Sequence, residues 1–353
     1  MAHYSRRARE LGIVADDDEP GPCNAITDVP GVAVGHTTVR RPPDVHTGVT
    51  AVVPAGIGPH PGGTPLPAAL FTANGYGKLV GATQVAELGQ LESPVVLTST
   101  LCAFRAADAV VSWMLARPEH AGVLSFNPVV GECNDGYLSD IRARPVREEH
   151  VLAAIEGAAG GPVAEGCVGA GTGTCALGFK AGIGTASRLV TPEPAGPVRV
   201  GVLTQANFGG TLRLSGAPVL PAPSGPAEDP GPGEDGSCMV IVATDAALDS
   251  RQLGRLARRA VFALGRVGAS YGHGSGDYGL AFSTSALRGG APVAVPDRCL
   301  DPLFGAVLRA TEESVLNALC AAVTTTGRLG RTVPAVPVDR LRELAVGATS
   351  SGA

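Results

Sequence analysis

The junction at Gly236–Ser237 constrains this chain more than any other feature. An acidic stretch rich in proline and glycine, PAPSGPAEDPGPGEDG, runs directly into SCMVIVATD, an unbroken apolar run that reads as a buried strand. Ser237 therefore stands where a solvated loop meets the core. The segment after the junction starts on its most hydrophobic strand and has no separate opening of its own. That strand belongs in the middle of a sheet shared with the preceding residues, so 1–353 reads as a single domain. If the Gly236–Ser237 bond is cut, Ser237 carries both a hydroxyl nucleophile and a free α-amine. An α-amine has a reference pKa of about 7.7–8.0, so a useful fraction is neutral near pH 7. That suits a general base beside a hydroxyl that is a weak nucleophile alone. The plain structural alternative is a surface loop entering a strand, with serine at the boundary.

Charge and composition narrow the classes. The chain has 27 basic and 32 acidic residues and a formal net charge of −5, with no basic tract of useful length, which argues against nucleic acid as a partner. The opening MAHYSRRARE is not followed by an apolar h-region, and no run of eighteen apolar residues exists. No membrane is expected, and the default location is the cytoplasm. The 49 glycines cluster in short runs between apolar segments, which favours close backbone approach at turns over a collagen-like or disordered chain. The eight cysteines form no CxxC pair, so they read as small buried thiols, and neither structural zinc nor a disulfide framework is expected.

Residues 1–47 read mostly as loop around a short apolar piece, GVAVGHTTV. Strands are expected at 49–56, 94–100, 121–126, 197–209 and 279–284. Residues 101–117 are expected to form a helix on Leu101, Phe104, Ala107, Val110 and Trp113. Further helices are expected over about 147–159 and 302–322. The helix starting near Asp249 is the clearest: its apolar stripe runs from Leu253 to Val267, Asp249 or Ser250 caps it, and Gly268 ends it. A loop spans about 217–236, and the tail GATSSGA should fray. Strands and helices on both sides of the junction suggest an α/β layered fold.

Several polar residues interrupt the apolar pattern. Ser275 and Asp277 lie in the turn HGSGD, and their i,i+2 spacing gives them one face if the segment is extended. The carboxylate could orient Ser275 or hold the ammonium form of the Ser237 amine; a turn with Ser and Asp bonded to backbone is the alternative. Asn207 ends a strand and offers a neutral donor to an oxyanion, or is a buried structural amide. Glu132, Asn134 and Tyr137 form a polar island after a strand. Glu132 suits a substrate ammonium, and Tyr137 the oxyanion or nucleophile; a solvated turn is the alternative. His273 reads as a structural or rim histidine. The run GAGTGT lacks the spacing of either a phosphate loop or a dinucleotide site.

Taken in order, GPCNAITDVPGVAVGHTTV, FTANGYGKLVG, NPVVGECNDGYLSD, GAGTGTCALGFKAGIGTASR, VLTQANFG, DGSCMVIVATDAAL and HGSGDYGLAFST resemble the DmpA-type aminopeptidases, peptidase family S58, over nearly the whole chain. The resemblance implies an αββα four-layer sandwich shared with the ornithine acetyltransferases. It is like that of N-terminal-nucleophile hydrolases but differs in strand connectivity. It implies self-cutting into 1–236 and 237–353, with Ser237 as nucleophile supported by Ser275 and Asp277, and Asn207 near the oxyanion. Glu132, Asn134, Tyr137 and Asn74 become pocket residues, Asn74 mainly on the resemblance. It further implies a serine aminopeptidase acting on short peptides or aminoacyl amides and esters. No cofactor or metal is expected, and the assembly is a homo-oligomer, often a tetramer of cleaved heterodimers. Acyl transfer of the ornithine acetyltransferase type is the enzymatic rival, although those enzymes use threonine. A non-catalytic protein retaining the fold is the third reading.

Overall fold

Strands whose side chains alternate between two faces must bury both faces when both are apolar. That requirement organises the computed structural model, which describes residues 7–14, 18–221, 236–287 and 292–350. One sheet has the order β1 (Val32–Arg41), β2 (Val45–Pro54), β6 (Val95–Ser99), β7 (Val129–Cys133), β4 (Leu79–Val80). The other has the order β10 (Ile183–Val190), β11 (Val198–Asn207), β14 (Ser237–Thr244), β15 (Gly276–Ser283), β3 (Leu66–Gly75), β5 (Gln90–Leu91). Three short hairpins lie outside both sheets: β8 (Cys175–Ala176) with β9 (Phe179–Lys180), β12 (Leu212–Leu214) with β13 (Ala217–Val219), and β16 (Thr325–Thr326) with β17 (Thr332–Val333).

Helix α1 (Ala82–Leu88) packs against β3, α2 (Ala103–Leu115) and α3 (Glu148–Glu156) cover the outer face of the first sheet, and α4 (Ser250–Val267) and α5 (Asp301–Cys320) cover that of the second. The two sheets face each other, giving the expected αββα sandwich. Three apolar layers correspond to its three interfaces. Strand β14 feeds two of them. Cys238, Val240 and Val242 point into the helix-side core, while Met239, Ile241 and Ala243 point between the sheets. This explains why SCMVIVATD is continuously apolar rather than alternating. β14 is an interior strand, antiparallel to β11 and parallel to β15, as expected for a strand starting at the junction.

Helix α4 follows its pattern closely. The Asp249 side chain accepts the Gln252 N–H, the expected stripe is buried, and Gly268 closes the helix at φ 110°. Elsewhere the chain departs from expectation. GVAVGHTTV is part of a ten-residue strand, β1, in a long hairpin with β2. Residues 121–126 form no strand and leave Leu124 exposed; the strand is 129–133, all five residues buried. Helix α2 forms, but Phe104 is 68% exposed and the buried face is built on Ala103, Ala106, Val110 and Met114. A strict three-residue repeat drifts by about 60° per step around a helix of 3.6 residues per turn, so the expected stripe winds off the core. The expected 217–236 loop includes β13 at its start, and 222–235 lie outside the described residues; helix α6 (Val338–Ser350) occupies part of the expected frayed tail, whose last residues 351–353 also lie outside them. All eight cysteines are free, and five are buried. Among the described residues, no helix is long and apolar enough to cross a membrane.

The segment before β1 is tied to the back of the molecule by charge. Arg188 on β10 and Glu313 on α5 are wholly buried and 2.7 Å apart, and Glu313 also receives Arg9 at 3.0 Å and Asn24 Nδ2 at 2.6 Å.

Because Ile241 sits in the layer between the sheets, Ile241→Ala is expected to cost about 2–5 kcal/mol, read as a lowered midpoint in denaturant unfolding; a change within error would mean that this layer tolerates the cavity.

Candidate active site

Ser237 is the first residue of β14 and is buried. It shares a face with Met239 and Ile241, so its side chain belongs to the space between the sheets. The register sets Asn207 directly across from it on β11. Its hydroxyl accepts the Asn134 backbone N–H at 3.3 Å, and the Cys133 thiol donates to its carbonyl at 3.1 Å. Both partners come from the exit of β7 in the facing sheet. The site thus lies at one end of the sandwich, where β7 ends and β14 begins.

The residue before the nucleophile has little room. A Cβ on Gly236 would lie 2.3 Å from the Asn207 carbonyl oxygen and 2.5 Å from Phe208 Cα, so only glycine fits there without a shift. Its carbonyl accepts the Gly276 N–H at 3.0 Å. That bond extends the parallel ladder by one rung beyond Ser237.

Asn207 is buried, and its Oδ1 accepts the Cys175 N–H at 3.0 Å. A backbone N–H can bond only the oxygen end of an amide, so this contact fixes the orientation of the side chain and leaves Nδ2 as its free donor end.

Ser275 and Asp277 flank Gly276, the residue paired with Ser237 on β15. Asp277 pairs with Cys238, one rung further along, and Cys238 faces the helix side. Its carboxylate therefore approaches the start of β14 from the face opposite the Ser237 side chain. Asp277 Oδ2 accepts Asn74 Nδ2 at 3.1 Å, and the same Asn74 amide donates to the carbonyls of Tyr271 at 3.1 Å and Gly272 at 3.3 Å. Burial pushes the Asp277 carboxyl above the usual aspartate range, against the opposing pull of hydrogen bonds from Ser275, Asn74 and the Cys238 backbone. Asn74, expected in the pocket mainly from the resemblance, is thus a direct partner of Asp277.

Strand alternation points Cys133 toward Ser237, while the Glu132 carboxylate reaches across the end of β7 to the turn before β4, close to the start of β15. There the buried Glu132 carboxylate accepts the Lys78 backbone N–H at 2.9 Å, lies 3.5 Å from Lys78 Nζ, and accepts the Thr100 hydroxyl. The turn carrying Lys78 is tied to β15, since the Tyr278 hydroxyl donates to the Gly77 carbonyl at 3.0 Å. Asn134 offers Ser237 its backbone; its side-chain Oδ1 accepts the Gly136 N–H at 2.9 Å. Tyr137 packs on the small cluster of Leu138, Cys175 and Val333, with the Arg331 guanidinium 4.9 Å from its ring centre. His273 is exposed.

Four participants escaped the sequence reading: Lys78 and Thr100 at Glu132, Cys133 at the Ser237 carbonyl, and Cys175 at Asn207. Lys78 stands within FTANGYGK and Cys133 within the polar island, so proximity to named residues was the available signal. Nothing in the spacing pointed to Thr100 or to the backbone of Cys175.

Comparison with known proteins agrees with the fold. The profile of peptidase family S58 matches residues 24–333. A β-peptidyl aminopeptidase, BapA, of Sphingosinicella microcystinivorans is 42% identical, covering 96% of this chain and 91% of that protein. A solved β-aminopeptidase from Burkholderia sp. superposes with a TM-score of 0.84 at 38% identity, over 97% of this chain and 99% of the other. The L-aminopeptidase D-Ala-esterase/amidase of Ochrobactrum anthropi, described as a prototype serine aminopeptidase and a variant of the Ntn hydrolase fold, superposes with a TM-score of 0.84 at 35% identity over the same shares. The chain belongs to peptidase family S58, a family of serine aminopeptidases with an N-terminal-nucleophile-hydrolase-like fold.

Asp135 follows Asn134 and is buried. Burial pushes its carboxyl up to about 7, against the nearby Thr47 hydroxyl and Lys180 ammonium. In an unfolded chain aspartate releases its proton near pH 3.9. Between these values the folded chain holds a proton that the unfolded chain has lost, so the contribution of Asp135 to stability is full below about pH 4 and is lost as pH rises toward 7. Asp135→Asn should flatten the fall in denaturation midpoint across that window. An unchanged slope would show that the carboxyl titrates alike in both states.

Proposed function

We propose that this chain cuts itself between Gly236 and Ser237 and then uses the exposed Ser237 to hydrolyse the N-terminal aminoacyl group of short peptides, amides or esters. The observation that carries the reading is the first rung of β14, where the Ser237 hydroxyl, the Asn207 amide and the Asn134 N–H converge at the open end of the sandwich. In the cut, Ser237 Oγ bonds to the Gly236 carbonyl carbon and the C–N bond breaks. The amine is left on Ser237, and water then hydrolyses the ester to a Gly236 carboxylate. In turnover the amine takes the proton of Oγ as Oγ attacks the substrate carbonyl. Asn207 Nδ2 stabilises the oxyanion, the leaving group takes the proton, and water releases the acyl group.

Ser275 and Asp277 set the Ser237 amine, with Asn74 holding Asp277. Glu132, with Lys78 beside it, anchors the substrate ammonium, and Tyr137 belongs to the pocket wall around Cys175. Serine at 237, where ornithine acetyltransferases carry threonine, favours hydrolysis over acyl transfer. A non-catalytic role accords poorly with a glycine-only position placed directly before a buried serine. The relatives named for β-peptidyl substrates make β-aminoacyl groups the first class to assay, beside L- and D-α-aminoacyl groups. We assign the cut pairs to a homo-oligomer, a tetramer on the family resemblance.

Denaturing mass spectrometry of the purified protein should show fragments of 236 and 353 − 236 = 117 residues without added protease, and Ser237→Ala should stay whole. A single full-length species after prolonged incubation would sink the cutting site and the nucleophile together.

Blocking the substrate amine tests Glu132. N-acetylation of a good substrate should lower kcat/KM by about 10²-fold or more, the scale of stranding one partner of a buried charge pair. Equal turnover of free and acetylated substrates would remove the ammonium site.

A further inference from the structure

The glycine-rich run GAGTGTCALGFK has a use that neither phosphate binding nor simple packing describes. Its turn encloses the side chain of Lys180, which is wholly buried. Lys180 Nζ donates to the carbonyls of Ala181 at 2.6 Å, Thr174 at 2.9 Å and Gly171 at 3.3 Å. Three acceptors match the three donors of an ammonium. The loop therefore turns its carbonyls inward on a cation, the reverse of a phosphate cradle, which turns N–H groups inward. The turn is pressed close to β2, since a Cβ on Gly173 would lie 2.1 Å from the His46 carbonyl oxygen.

Thr174 C=O and Cys175 N–H are the two ends of one conjugated peptide group. The oxygen end receives the Lys180 ammonium, and the N–H end donates to Asn207 Oδ1 at 3.0 Å. Asn207 is itself an amide with the same conjugation. Drawing electron density toward an amide oxygen leaves its N–H a stronger donor, and hydrogen bonds in series reinforce one another in a site shielded from water. Lys180, Cys175 and Asn207 are all buried.

We propose that Lys180 is a positioning residue that both holds and polarises the Asn207 amide, passing the field of a buried cation through the single peptide group 174–175 to the oxyanion. The proposal rests on Asn207 as the oxyanion donor. Its consequence is a positive charge felt at the transition state with no cation at the cleft. A residue that merely stapled the 171–181 turn would have its effect through hydrogen bonds alone, whatever its charge.

The test uses the full chain, with kcat expressed per cut chain by active-site titration, so that a maturation defect is not counted as a catalytic one. Asn207→Ala alone should lower kcat roughly 10²–10³-fold; an unchanged kcat would overturn the oxyanion assignment itself. Given that loss, Lys180→Met and Lys180→Gln should lower kcat about 10-fold, a share of what one oxyanion donor supplies, with KM nearly unchanged. Lys180→Arg, which keeps the charge, should recover most of the rate. In the Asn207→Ala background Lys180→Met should have little further effect, because the two residues act in one chain. The carbonyl stretch of an isotope-labelled acyl-enzyme should move to higher frequency in Lys180→Gln. Equal loss from Lys180→Met in both backgrounds, or full activity in Lys180→Gln, would overturn the proposal while leaving Asn207 in place. Should no Lys180 variant fold, the wild-type protein still decides. The Asn207 side-chain amide protons, assigned by their disappearance in Asn207→Ala, should resonate downfield of those of the other asparagines, and an ordinary shift would overturn the polarisation.

Discussion

The site depends on the two ladders that flank the first rung of β14. Side chains on a strand are ordinarily fixed by the residues on both sides of them along the chain. A nucleophile on the first residue of a strand has support on one side only, and after a cut it has none before it. Pairing with Asn207 on one edge and Gly276 on the other holds Ser237 laterally instead. This is why the strand has to be interior: an edge position would supply one ladder and leave the other side to water. The same geometry dictates glycine at 236, because a residue wedged beside the Asn207 carbonyl has no space for a side chain.

The distribution of charge follows from the same alternation. The face of β14 that carries Ser237 meets neutral groups: the Asn207 amide, the Asn134 N–H and the Cys133 thiol. Asp277 lies on the helix-side face of its sheet, the Glu132 carboxylate sits at the turn that carries Lys78, and Lys180 lies behind the Asn207 amide. A carboxylate directly on the inter-sheet face would repel a developing oxyanion, and a cation there would raise the cost of an empty, buried site. Keeping formal charges off the face that carries Ser237 avoids both penalties, and leaves the peptide groups around Asn207 to carry the influence of Lys180 inward.

How legible this was depended on the range of the contact. The start of β14 was visible because Gly- and Pro-rich loop chemistry gives way to a continuous apolar run at one residue. Helix α4 was visible because its cap, stripe and terminal glycine all agree. The face of α2 was misassigned because a three-residue repeat imitates an amphipathic helix over one turn and fails over four. Strand β7 was displaced to 121–126 because glycine and glutamate interrupt VVGEC, although all five residues are buried. Cys133 and Ser237 are 104 residues apart, and Cys175 and Asn207 are 32 apart. No local periodicity encodes such pairs. Lys180 was missed for a further reason: its partners are backbone carbonyls, which every residue type supplies, so no side-chain pattern marks them.

The arrangement also bears on why, in the proposed mechanism, cutting precedes turnover. Before the cut, the nitrogen of Ser237 is an amide, its lone pair is delocalised, and it cannot accept a proton. After the cut it is an amine with a reference pKa near 8, attached to the same residue as the hydroxyl it is to activate. The hydroxyl meets the Asn134 backbone N–H, a donor that orients it but cannot take its proton. In that mechanism the base is created by the bond cleavage itself. In the proposed mechanism Asp277, brought in from the helix-side face next to Cys238, acts on that new amine rather than on the hydroxyl. Burial pushes the Asp277 carboxyl up, and an ammonium appearing beside it would pull it down again.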